Sequence, residues 1–146
     1  MINKKYLELI RLKNKLEKNN FIYNIISKRI VDSIDLIKTP FQNILELGIN
    51  ENNTFNYLTQ KYLTSNFFRS DFYNMTSSDD LKYKYLKLDF DEINLKENNY
   101  ELIYSNLFIH YAINIENLIK QINKSLKSNG FFIATIPDKN NIYQLV

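Results

Sequence analysis

The stretch that most constrains this chain is Ile44-Leu45-Glu46-Leu47-Gly48-Ile49-Asn50-Glu51-Asn52. An apolar run of strand length stops at Gly48, one of only two glycines in the sequence. From Thr54 onward Phe55, Leu58 and Tyr62 recur on one helical face. A strand feeding a helix through a glycine turn points the first helix amides at the turn, and a residue without a Cβ lets backbone approach a ligand. Glu46, near the mouth of the strand, is placed to bind something polar.

The rest of the chain repeats this alternation. Asn66 to Ser70 reads as a second strand ending on Asp71, and Tyr85 to Leu88 as a third ending on Asp89. Between them, Thr76, Ser77, Ser78, Asp79 and Asp80 suit a capped helical turn. Tyr100 to Ser105 is a fourth strand. Ile115, Leu118, Ile119, Ile122 and Leu126 then mark a helix, with Asn114 as its N-cap and Gly130 as its C-cap. Phe131 to Ile136 is a fifth strand, closed by Pro137. Strands separated by helices predict an α/β fold, a mostly parallel sheet of about five strands with right-handed crossovers. Two helices precede it. The first is basic with Leu7, Ile10 and Leu16 on its apolar side, and the second runs from Phe21 to Ile37 until Thr39-Pro40 stops it. Residues 1–40 thus read as an N-terminal helical cap and 41–146 as the α/β body.

At 146 residues, 45% hydrophobic and 24% charged, the sequence predicts one globular domain. The absence of cysteine rules out disulfides and thiolate metal sites, and a single histidine argues against a zinc site, so no metal is expected. No apolar run reaches the roughly 20 residues that span a bilayer, and no signal peptide opens the chain, so a cytoplasmic protein is expected. The net charge is +3, with Lys4, Lys5, Arg11, Lys13, Lys15 and Lys18 crowded at the start. Glu8 and Glu17 interrupt them, which favours a solvated helix face over a nucleic-acid surface.

Acids at strand ends are the second signal. Glu46, Asp71 and Asp89 all fall at or beside the carboxyl ends of predicted strands. That edge is where an open parallel sheet binds ligands. A carboxylate at the end of the second strand can accept hydrogen bonds from both hydroxyls of a ribose, and one at the end of the third can orient an adenine amine.

These residues carry a resemblance. Ile44 to Ile136 is similar to class I S-adenosylmethionine-dependent methyltransferases of the type 11 group, with their Rossmann-like fold. Ile44-Leu45-Glu46-Leu47-Gly48 matches the acid-x-glycine start of the family's first motif. Asp71 matches its ribose-binding acid, and Asp89-Phe90 its adenine-proximal position. Tyr100-Glu101-Leu102-Ile103-Tyr104-Ser105-Asn106, followed by Leu107-Phe108-Ile109-His110-Tyr111, resembles the fourth strand and the segment after it. Leu126-Lys127-Ser128-Asn129-Gly130-Phe131-Phe132 resembles the turn into the fifth. Arg11 and Phe21-Ile22-Tyr23 look most like the alphaproteobacterial and mitochondrial branch linked to respiratory complex I assembly, which includes a protein arginine hydroxylase. The resemblance implies S-adenosylmethionine as cofactor, held by Glu46, Gly48, Asn50, Asp71, Asp89, Phe90 and Ser105, with a small-molecule or protein acceptor. It names no catalytic residue.

The sequence departs from the pattern in two ways. The glycine-rich turn is replaced by Gly48-Ile49-Asn50-Glu51-Asn52. Asparagine tolerates left-handed backbone, but these side chains take space that the methionine part of the ligand needs, so weak binding is expected. The family's fold also continues past the fifth strand, so a C-terminally truncated domain is expected, with an open edge for a protein partner or a second copy to cover. His110 is expected to pack or cap the turn before Asn114 rather than act as a base. A non-catalytic assembly factor is the main alternative to an enzyme. A nicotinamide enzyme is the weakest reading, because G-x-G-x-x-G is absent.

Overall fold

Each of the apolar runs forms a strand. The computed structural model describes residues 4–16, 21–75, 82–89 and 93–137. Strands β1 (Asn43–Leu47), β2 (Asn66–Asp71), β3 (Lys84–Lys87), β4 (Tyr100–Asn106) and β5 (Leu126–Thr135) make one sheet, ordered β3-β2-β1-β4-β5 with every pairing parallel. Helices α1 (Lys4–Leu16), α2 (Phe21–Asp35), α3 (Asn53–Lys61) and α4 (Ile115–Ser125) flank it, and a single 3-10 turn spans Ile109–Tyr111. This is the expected α/β, Rossmann-like architecture.

Strand alternation divides the sheet between two cores. On one face α2 lays down Ile26, Ile30 and Ile34, one turn apart, against Ile44, Leu58, Leu102 and Tyr104. On the other, Leu118 and Ile122 of α4 cover Leu45, Leu47 and Ile103, and Ile93 and Leu95 join them from the segment before β4. Leu7 of α1 enters this second core. Each buried Leu or Ile contributes about 1.5–3 kcal/mol, so the paired cores are what hold the helices on the sheet. β5 lies at one border of the sheet, with Phe131 exposed.

The helix ends are set by local bonds, and one of them differs from the sequence reading. α3 begins at Asn53 without a capping bond from Asn52; Glu51 instead accepts the Thr54 amide at 3.0 Å. Gly130 is not a helix cap. α4 stops at Ser125, and Leu126 already pairs with Tyr100 in the sheet. The next sheet partners are Leu102 and Phe131, so Lys127 to Gly130 bulge out between the two pairings. A Cβ on Gly130 would sit 3.0 Å from the carbonyl oxygens of Lys127 and Tyr100, so close backbone approach is what calls for glycine. The turn expected over Thr76 to Asp80 lies outside the described residues.

Candidate active site

The strand order reverses between β1 and β4, and the crevice at their carboxyl ends is the place where an open α/β sheet takes a ligand. Gly48 ends β1 at φ +85°, a left-handed turn that glycine makes without a steric cost. Its amide donates to the Ser70 carbonyl at 2.8 Å, which ties the turn to β2. The Asn50 side-chain amide reaches across the crevice to the carbonyls of Asn106 and Leu107 at the end of β4. Leu107 itself holds φ +53°, a left-handed conformation costing a non-glycine residue about 1–2 kcal/mol.

Asp71 closes β2 beside this turn. Its Oδ2 accepts the Ile49 amide at 2.9 Å, and its Oδ1 accepts the Phe72 amide at 2.8 Å. Gly48, Asn50 and Asp71 are therefore brought together as the sequence pattern implied.

Two side chains that the sequence reading did not place at the site fill the same space. Arg11 of α1 donates to Asp71 through Nε at 3.0 Å and Nη2 at 2.8 Å, and both side chains are withdrawn from solvent. Burial works against the Arg11 charge, but the hydrogen bonds and attraction of Asp71 outweigh it and raise the pKa. The guanidinium lies 5.0 Å from the Phe108 ring and 5.5 Å from that of Tyr111. Its remaining nitrogen, Nη1, is buried without a hydrogen-bond partner. Phe108 in turn fills the hollow over Gly48: a Cβ there would lie 2.2 Å from the Phe108 Cγ.

The other sequence-predicted residues take separate places. Asp89 is exposed at the end of β3 and pairs with Lys4 of α1 at 3.0 Å. Phe90 lies outside the described residues. Ser105 spends its hydroxyl on the Leu47 carbonyl at 2.9 Å, bracing β4 against β1. Glu46 is buried on the α2/α3 face, where its carboxylate pairs with Arg69 of the neighbouring strand. Arg69 also donates to Asn52 Oδ1 at 2.9 Å and the Glu51 carbonyl at 3.0 Å, and packs on the Phe55 ring at 4.3 Å. Burial pushes the Glu46 carboxyl up, to about 7, against the pull of Arg69. His110 lies in the 3-10 turn, its ring 4.2 Å from that of Tyr111. Its pKa is lowered by partial burial and by Arg11.

The signal for Arg11 was present in composition. The chain prefers lysine so strongly that Arg11, Arg29 and Arg69 are its only arginines. Two of them, Arg11 and Arg69, form buried ion pairs where a planar fork matters. Among the described residues no group of His, Cys, Asp and Glu could hold a metal ion, and no helix is long and apolar enough to cross a membrane.

Comparison with known proteins agrees with this geometry. The methyltransferase domain family matches residues 45–134. The chain is 28% identical over 130 residues to the malonyl-[acyl-carrier protein] O-methyltransferase of Calditerrivibrio nitroreducens, covering 88% of this chain and 52% of that protein. It is 25% identical over 131 residues to the human mitochondrial arginine-hydroxylase NDUFAF5, covering 88% and 38%. The chain thus spans about half of the first relative's length and less than half of the second's. Among solved structures, the plantazolicin methyltransferase BpumL superposes with a TM-score of 0.65 at 13% identity, covering 94% of this chain and 61% of that one. A Haloferax volcanii protein in complex with the Trm112 methyltransferase activator gives 0.58 at 16% identity, covering 80% and 58%.

Proposed function

The chain belongs to the methyltransferase domain family, and we propose that it is an S-adenosylmethionine-dependent methyltransferase-like protein acting on a small-molecule or protein acceptor. One observation carries the proposal: at the point where strand order reverses, the Asp71 carboxylate is fixed beside the Gly48 turn by the Ile49 and Phe72 amides. In this reading Asp71 takes the ribose hydroxyls, the backbone from Gly48 to Asn50 lies along the rest of the ligand, and Asp89 stands toward the base. S-adenosylmethionine, when bound, supplies an activated methyl group. The donor set suits a nucleoside in its chemistry, but the space does not suit it while Arg11 holds Asp71 and Phe108 fills the hollow at Gly48. Residues 41–146 form the cofactor-binding body and residues 1–40 its helical cap. The cytoplasm is the proposed compartment, and the border strand β5 is the proposed contact for a protein partner or a second copy.

The filled site favours a second reading, a non-catalytic or hydroxylase-type relative serving as a respiratory complex assembly factor. Calorimetric titration of the purified chain with S-adenosylmethionine and S-adenosylhomocysteine, with NADH as control, separates the two. Weak binding of both that disappears in Asp71→Asn, with the variant still folded, supports the cofactor site. A folded chain that binds neither compound supports the assembly factor.

A further inference from the structure

α1 touches the body along a narrow line, and that line runs across the proposed ligand site. Leu7 is buried among Leu45, Leu47, Phe72, Leu88 and Ile109, and one turn later Arg11 reaches Asp71. Lys4 pairs with Asp89 at 3.0 Å, and Glu8 lies 3.7 Å from Lys87. These four residues of α1 therefore span the carboxyl ends of β2 and β3. The outward side of the helix leaves Tyr6, Leu9 and Leu12 exposed, and among its described side chains Leu7 and Arg11 are the buried ones. A half-open cavity of about 340 Å³ lies beneath its start, lined by Lys4, Glu8, Lys87, Leu88 and Asp89.

The Arg11–Asp71 contact is exclusive. With two Arg11 nitrogens and two backbone amides on its oxygens, Asp71 has no solvent exposure and no open face for a diol. The guanidinium is held by its two bonds to Asp71 and lies beside the Phe108 and Tyr111 rings.

We propose that α1 is an autoinhibitory strap: Arg11 occupies the ribose-binding carboxylate, and a nucleoside ligand enters only when α1 lifts from the edge. This rests on the reading of Asp71 given above. The seated strap lowers apparent affinity by the fraction of molecules in which it is open. Weakening the clasp therefore tightens binding without adding any contact to the ligand.

The test pairs ligand affinity with a direct readout of the strap. S-adenosylhomocysteine is titrated into the full chain, Arg11→Met and Leu7→Ala; the last loosens α1 while leaving the ion pair intact. The chain has no cysteine, so Leu7→Cys provides a single buried thiol whose labelling rate reports lifting of α1. The expected result is about tenfold tighter binding in Arg11→Met, a smaller gain in Leu7→Ala, and faster Leu7→Cys labelling as ligand is added. Equal affinities in all three chains would overturn the strap and leave the cofactor site standing. So would labelling slowed by ligand, which would make α1 a lid that closes on it. Absence of binding in every variant, with labelling faster when Arg11→Met is added, would overturn the cofactor reading and the gate with it.

Discussion

The ring of Phe108 stands where residue 48 would carry its side chain, with Cγ 2.2 Å and Cδ2 2.3 Å from an ideal Cβ on Gly48. Gly48→Ala therefore meets two penalties: a left-handed φ of +85°, and collision with a buried ring that packs at a tilt against Phe72, centroids 4.8 Å apart. The expected destabilisation is about 3–4 kcal/mol. Combining it with Phe108→Ala should cost clearly less than the sum of the two single changes, because the second removes the ring that the first strikes. Strict additivity in urea denaturation would show that φ alone limits this position.

Glu46 and Arg69 form the second coupled pair. They sit on adjacent strands in register, and neither side chain is more than 4% exposed. Arg69→Met leaves the buried Glu46 carboxyl without its partner, to be protonated or left charged in the interior, and is expected to cost about 3–5 kcal/mol. Replacing both residues with Met should recover much of that loss, since the remaining side chains pack without charge. A double variant as unstable as the sum of its parts would mean that Arg69 matters mainly through Asn52, the Glu51 carbonyl and the Phe55 ring.

The fold was legible because its signals are local. Ile44 to Leu47 and Tyr100 to Ser105 announce buried strands by apolar content, and Asp71 and Asp89 mark where strands leave the sheet. The site was legible only in part. Gly48, Asn50 and Asp71 lie within one βαβ unit, so pattern alone could assemble them. Arg11 is 60 residues from Asp71, and nothing in helical spacing distinguishes a buried arginine from its solvated lysine neighbours. The position of Glu46 before the glycine predicts a place at the mouth of the strand. Strand alternation turns it instead to the α2/α3 face, where Arg69 waits. The cap at Gly130 failed for a different reason. Glycine after a helix suits a left-handed cap and a crowded bulge equally well, and only the pairing of Leu126 with Tyr100 decides between them.

Asn114 is a cap that the sequence did reveal. Its side chain accepts the Asn117 amide at 3.0 Å at the start of α4, the helix that covers the β4 side of the sheet. Asn114→Ala should cost about 1 kcal/mol and Asn114→Asp almost nothing. In thermal unfolding the first change should lower Tm by roughly 2–4 °C. A larger loss would mean that α4 is held by its first turn more than by Leu118 and Ile122.

The pH dependence of stability tests the buried carboxylate directly. Burial raises the Glu46 carboxyl from 4.5 to about 7. A group whose folded pKa is raised contributes stability that is fully present below its unfolded value and lost as pH climbs through the folded one. His110 works in the opposite sense: its lowered pKa gives stability that is present above 6.5 and lost as pH falls. The two partly cancel in the wild-type profile, so the informative quantity is the difference between the wild-type chain and Glu46→Gln, in which the His110 contribution is shared. Between about pH 4.5 and 7 the wild-type chain should lose about 2–3 kcal/mol relative to the variant, with little further change above that window. Urea denaturation at half-unit pH intervals measures it. A flat difference would show that Arg69 keeps Glu46 ionised throughout; a difference of the opposite sign would show that the ion pair outweighs burial and holds the carboxyl below its usual range.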